Sequence, residues 1–280
     1  MLSAAAAIAL TVTLLPLEAP GGALAQDATA GRGRGSDDND NVLKRSKHTT
    51  AADLDRSILL EWRANSPALQ QLWSDENAPV SAWEGVTVGS AWQGVTVGAE
   101  GRVVKIDLTQ QGLKGVVPAA LGGLTALEEL NLYRNQLTGL PKELGGLTAL
   151  KHMQLGVNLM SSVPAELGAL TALTFLNLED NDMTTVPAEL GNLTALTDLY
   201  LSSNQLVSLP KEFGNLKRMQ SLGLSYNKLT SVPKELGNLK AMTSLSLAGN
   251  PDLAALPEEV EQLSTARGRL TQVDPRLTPG

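Results

Sequence analysis

The stretch LGGLTALEELNLYRNQLTGLPKE, residues 121–143, constrains what the rest of this 280-residue chain can fold into. It recurs without a gap at 144–166, 167–189, 190–212 and 213–235, and again at 236–259 with one extra residue. A looser first copy runs from Gly101 to Ala120. Contiguous self-similarity at this period means a stack of supersecondary units. No unit can bury its apolar face alone, so each is stabilised by the neighbours on either side of it.

The residue types inside the unit predict its path. Leu130 and Leu132 alternate with Glu129, Asn131 and Tyr133, the period-two pattern of a strand with one buried face. Seven parallel strands are expected, beginning near Val103, Leu127, Leu150, Leu173, Leu196, Met219 and Met242. An asparagine follows each later strand: Asn135, Asn158, Asn181, Asn204, Asn227 and Asn250. A short amide can bond backbone groups that a turn leaves unpaired, so these six should form a ladder. The segment P-x-E-L-G-x-L then crosses back, with proline suited to a helix's first position and glycine to ending a short helical turn.

The spacing L-x-x-L-x-L-x-x-N-x-L, read as Leu127, Leu130, Leu132, Asn135 and Leu137, resembles the leucine-rich repeat. That resemblance implies an α/β solenoid: a horseshoe with a concave parallel β-sheet of about seven strands and an N-terminal helical cap. The cap region is similar to that of plant-type extracellular leucine-rich-repeat proteins. It carries Leu59-Leu60-Glu61-Trp62, then Trp92-Gln93-Gly94-Val95-Thr96-Val97, then a first strand from Val103 to Leu108. Leu113-Lys114-Gly115-Val116-Val117-Pro118 matches the plant-type ending L-x-G-x-I-P, whereas later copies end in the shorter form of intracellular Ras-associated proteins. Val97 stands where the plant motif has a cysteine, and the chain has none, so the cap is expected to hold by packing alone. Leu54, Ile58 and Trp62 are expected to form the buried face of its helix. The nine-residue unit SAWQGVTVG (90–98) is also written at 81–89 as SAWEGVTVG, which leaves open which tryptophan, Trp83 or Trp92, belongs to the cap.

Five segments follow. Residues 1–25 read as a signal peptide, with an apolar run from Ala4 to Leu17 and Ala23-Leu24-Ala25 before Gln26, although the leader has no Lys or Arg. Residues 26–50, rich in Gly, Arg, Asp and Ser, read as a disordered linker. Residues 51–100 are the cap and 101–259 the repeats. Residues 260–280 are a C-terminal cap and tail in which Val260 and Leu263 cover the last repeat.

Composition narrows function. A net charge of -7 argues against nucleic acid as a partner. Two histidines in different segments and no cysteine offer neither a metal constellation nor a nucleophile–base pair, so no enzyme and no cofactor are expected. Glu179, Asp180 and Asp182 place three carboxylates in four residues, but strand alternation splays them.

The outward strand positions are where a partner would be read. All three tyrosines and one of the two phenylalanines fall there, and aromatics concentrate at protein interfaces. The candidate contact residues are Tyr133, His152, Phe175, Glu179, Asp180, Asp198, Tyr200 and Tyr226, with Phe175 and Tyr200 as one exposed apolar patch. Asn192-Leu193-Thr194 is a glycosylation sequon, although its threonine also recurs in copies lacking the asparagine. The resemblance implies a secreted, monomeric recognition protein for a protein or glycoprotein ligand, in defence or signalling, with no integral membrane segment after signal removal. The alternative is a cytoplasmic scaffold in Ras-type signalling, which the later repeats resemble.

Overall fold

The computed structural model describes residues 49–73, 92–98 and 100–267, all within one unit of the chain, His48–Gly280. The signal-peptide reading, nearly all of the linker, the first nine-residue unit with Trp83, and residues 268–280 lie outside the described residues. Among the described residues no helix is long and apolar enough to cross a membrane.

The cap opens with helix α1 (Ala51–Ala64). Thr50 starts it: its hydroxyl accepts the Asp53 N–H at 3.1 Å, and its own N–H donates to Asp53 Oδ2 at 3.0 Å, a reciprocal capping box. The buried face is Asp55, Ile58, Leu59 and Trp62. Leu54, expected on that face, is 50% exposed. The face is rotated by one residue because an aspartate occupies the inward seat. Helix α2 (Pro67–Leu72) is capped by the Ser66 hydroxyl, with proline in its first turn. It delivers Trp73 between Trp62 and Trp92, at ring-centroid distances of 6.4 and 4.8 Å. Trp92 is therefore a core residue, 1% exposed.

Among the described residues ten strands follow: β1 (Val95–Val97), β2 (Val103–Asp107), β3 (Lys114–Val116), β4 (Glu129–Asn131), β5 (Gln136–Gly139), β6 (His152–Gln154), β7 (Phe175–Asn177), β8 (Asp198–Tyr200), β9 (Ser221–Gly223) and β10 (Ser244–Ser246). The main sheet runs β1-β2-β4-β6-β7-β8-β9-β10, seven strands parallel as expected. The eighth, β1, pairs antiparallel with β2 and covers the sheet's first edge. Gly94 makes that pairing possible: its φ is 86°, and a Cβ there would sit 2.1 Å from the Asp107 carbonyl oxygen. β3 and β5 form a separate parallel pair.

The first parallel strand begins at Val103 as expected, and the other six begin two residues later than the leucine pattern predicts. Leu127 still belongs to the preceding turn, its N–H donating to the Leu124 carbonyl at 2.9 Å, and the same bond recurs at Leu150, Leu173, Leu196, Met219 and Met242. The return segments are five-residue 3-10 turns, each preceded by a proline in extended conformation rather than begun by it. The glycine shared by all of them is fourth of the five residues and does not end the turn. At Gly145, Gly168, Gly191, Gly214 and Gly237 an added Cβ would lie 2.4–2.6 Å from the carbonyl oxygen of a glutamate in the following return turn or, for Gly237, of Glu259 in the closing helix. The glycine is there so that adjacent units can touch.

The asparagine ladder forms, and it runs between units. The Asn181 carbonyl oxygen accepts the Met160 N–H at 3.0 Å, while its amide donates to the Leu155 and Leu178 carbonyls, each at 3.2 Å. One of those carbonyls belongs to its own unit and one to the unit before. Helix α3 (Glu258–Arg267) closes the far end, with Val260 fully buried and Leu263 9% exposed.

The cap does not hold by packing alone. Asp55, 0% exposed, accepts from Arg102 Nε at 2.9 Å, Arg102 Nη2 at 3.2 Å and the Val103 N–H at 2.8 Å. This ties α1 to the first strand of the repeats. The hydrogen bond to Asp55 raises the Arg102 pKa, against the opposing cost of desolvation.

Candidate functional site

Register turns the repeat into columns. Lys105, Glu129, His152, Phe175, Asp198, Ser221 and Ser244 are direct ladder partners in succession. So are Asp107, Asn131, Gln154, Asn177, Tyr200, Gly223 and Ser246. Phe175 and Tyr200 are therefore diagonal neighbours, with ring centroids 5.6 Å apart at 49°. His152 extends the row, 6.1 Å from Phe175. Three of the eight expected contact residues thus meet as one aromatic diagonal across three units.

The patch is not freely exposed, contrary to expectation: Phe175 and Tyr200 are each half-buried. Each ring lies against the other, and Tyr200 also lies across the next strand. A methyl on Gly223 would come within 3.1 Å of Tyr200 Cδ1. The same arrangement holds Tyr133 over Gly156, at 3.2 Å from Cδ2, and Tyr226 over Gly249, at 2.6 Å from Cδ1. Two further outward columns follow the strands, one from Thr109 through Tyr133, Gly156, Glu179, Ser202 and Ser225 to Ala248, the other from Gln110 through Arg134, Val157, Asp180, Ser203 and Tyr226 to Gly249. Every tyrosine in the chain is followed one repeat later by a glycine, and these are the only glycines in the four columns. A ring that lies down needs a neighbour without a side chain. This signal was in the sequence and could have been found by offsetting it against itself by one repeat.

The remaining expected residues separate. Asp180 and Tyr226 stand just past their strands in left-handed turns, with φ of 53° and 55°, and both are exposed. Glu179 sits beside Tyr133 over Gly156, its Cγ 3.2 Å from where a Cβ would be. Asp198 is half-buried next to Tyr200, with one carboxylate oxygen accepting from the Thr197 hydroxyl at 2.7 Å. Asn192 is exposed at the end of a 3-10 turn, away from the strand columns.

Sequence reasoning passed over one part of this face. A cavity of about 350 Å³ lies beside the aromatic diagonal, lined by Lys105, Glu129, Asn131, His152, Gln154 and Phe175. Lys105 and Glu129 pair at 2.6 Å, each a little over two-fifths exposed. The hydrogen bond to Glu129 raises the Lys105 pKa above 10.5 despite some desolvation. Arg134 Cζ lies 5.4 Å from the centre of the Tyr133 ring, within cation–π range. Among the described residues, no group of three or more His, Asp or Glu side chains converges as a metal site would require.

A parallel sheet of short strands, its rungs after the first closed by an interior asparagine and a 3-10 return, defines the class of protein: a repeat solenoid. A family model described as leucine-rich repeat region matches residues 102–227. A leucine-rich-repeat protein of Leptospira interrogans is similar at 37% identity with a TM-score of 0.55, over 57% of this chain and 41% of that one. The Arabidopsis receptor kinase HAESA, solved with the peptide hormone IDA and a co-receptor, is similar at 30% identity with a TM-score of 0.64, over 76% of this chain and 36% of that one. The HAESA ectodomain with an N-terminally extended IDA ligand gives 29% and 0.59, over 77% and 40%. This chain spans less than half the length of each. No protein of curated function matches it in sequence. The chain is a leucine-rich-repeat protein.

Proposed function

We propose that this protein is a binding module, not an enzyme, that takes a protein or glycoprotein ligand on the outward face of its sheet as a monomer. The observation that carries this reading is the meeting of His152, Phe175 and Tyr200 on an open face that otherwise presents mainly small and polar groups. Ring faces held in place offer contact area at little entropic cost. The HAESA structures support the reading by analogy, since that receptor is solved with a peptide hormone. Tyr133, Glu179, Asp180, Asp198 and Tyr226 form the rim. Export through removal of residues 1–25, and a role in signalling or defence, complete the proposal.

Phe175→Ala and Tyr200→Ala should each weaken ligand binding by about 2 kcal/mol or more. Their stability cost should be about 1 kcal/mol, as expected for losing one half-buried aromatic contact. Lys211→Ala, on the return side, should change neither. Titration calorimetry against a captured ligand decides the matter: binding lost with Lys211→Ala but kept in both ring variants would refute the reading. Amino-terminal sequencing that starts at Gln26 supports export. A retained Met1 on a cytosolic chain would instead favour the intracellular scaffold.

A further inference from the structure

We infer that the half of this face around Tyr200 receives a guanidinium: an arginine side chain on a protein partner, stacked on the Tyr200 ring and paired with Asp198. The inference rests on the binding-face reading above and specifies its chemistry.

Charge on the face is divided. From β7 to β10 the four outward columns contain Glu179, Asp180 and Asp198 and neither lysine nor arginine. The two cations of these columns, Lys105 and Arg134, both lie in the first two units and are already engaged, by Glu129 and by the Tyr133 ring. Among the described residues, Asp198, Glu179 and Asp180 form no ion pair. The Thr197 hydroxyl occupies one oxygen of Asp198, and the other is left to a ligand. Asp198 is also the direct ladder partner of Phe175 and lies two residues from Tyr200 on the same strand, so one carboxylate borders both rings.

The chain contains its own template for what such a place takes. At Tyr133, which lies over a glycine as Tyr200 does, Arg134 fills the ring face. At Tyr200 the corresponding residue is uncharged, because Leu201 follows and Ser202 and Ser203 occupy the turn. A partner's guanidinium would supply what Arg134 supplies one end over. Arginine fits better than lysine, because its plane stacks on a ring while its fork meets a carboxylate.

The test uses the full chain and three blocked hexapeptides as probes: hexa-arginine, hexa-lysine and hexa-citrulline, the last having the shape of arginine without its charge. Hexa-arginine should shift the NMR ring signals of Phe175 and Tyr200 and bind about tenfold more tightly than hexa-lysine. Hexa-citrulline should not bind measurably. Asp198→Asn should reduce the hexa-arginine affinity about tenfold. The paired change Glu143→Gln and Glu166→Gln, on the return side, should leave it unaltered and so controls for attraction to net negative charge. Equal binding of hexa-arginine and hexa-lysine, or an unchanged affinity in Asp198→Asn, would overturn the inference. If Asp198→Asn is silent while Phe175→Ala still abolishes binding of a protein ligand, only the arginine assignment fails and the binding face stands.

Discussion

At the cap junction one residue does what six share in the repeats. Asp55 alone gathers three hydrogen bonds from Arg102 and Val103, across a separation of 47 and 48 residues. In the repeats, Asn135, Asn158, Asn181, Asn204, Asn227 and Asn250 each join one unit to the one before. A stack of like parts can spread its polar satisfaction over many equivalent bonds. A junction between unlike parts cannot, and concentrates it in a single buried charge. The lesson is about failure: the junction should break all at once and the ladder by degrees.

Asp55→Ala should have the largest effect. It strands Arg102 and the Val103 N–H, and breaking a buried pair costs about 3–5 kcal/mol; the 20% exposure of the Arg102 side chain puts the expected loss near the lower end, about 3. Denaturant melts would measure the total. Hydrogen exchange should show the loss first at β1 and α1, and a loss spread evenly over all repeats would contradict a localised junction. Asn181→Ala comes next, at about 1–3 kcal/mol, since the buried Met160 N–H loses its acceptor, while the Leu155 and Leu178 carbonyls keep Asn158 and Asn204. The same change at Asn250 should cost less, because an end unit has a repeat neighbour on one side only and opens more readily. Equal costs would show that position in the ladder does not matter.

A subtler effect sharpens the comparison within the repeats. Gly223→Ala should be about 1 kcal/mol worse in the presence of the Tyr200 ring than in a Tyr200→Ala background, where alanine suits a strand better than glycine. A double-mutant cycle reads this directly, and zero coupling would mean that the ring does not depend on the glycine. The smallest effect is at Lys105. Its pKa is raised, so its pair with Glu129 contributes fully below about pH 10 and is lost as pH climbs through the higher folded value. With both side chains over two-fifths exposed, solvent screening limits this to about 0.5 kcal/mol. Comparing Lys105→Met with the parent chain at pH 8 and pH 11 would detect it.

What could be read from sequence was what repeats. The columns, the seven parallel strands and the asparagine ladder all follow because one repeat of offset in sequence equals one strand of offset in space. The meeting of His152, Phe175 and Tyr200 could be read for the same reason. Asp55 could not, since nothing in a helix's apolar period announces an aspartate turned inward toward an arginine 47 residues away. The antiparallel β1 depended on Gly94 meeting the Asp107 carbonyl, a contact with no periodic signature. The half-burial of the two rings was missed because outward-pointing was equated with exposed, when a ring can lie along the sheet.

The direction of the asparagine bonds implies an order of completion. Each asparagine accepts an N–H from the turn of the preceding unit, as Asn204 does from Met183 and Asn227 from Leu206. A unit's turn is therefore finished only when its successor arrives. As the chain emerges from a ribosome, amino end first, its newest turn is always one unit short of closure. The two ends are written accordingly. At the start, Gln111 takes the ladder position and its amide donates to Thr109 within its own turn, having no earlier unit to finish. At the end, the extra residue of the last copy lets the Leu253 N–H reach the Asn250 carbonyl at 3.2 Å, so the final turn closes on itself. That one-residue insertion is a stop signal: growth of the stack ends where a unit no longer needs the next.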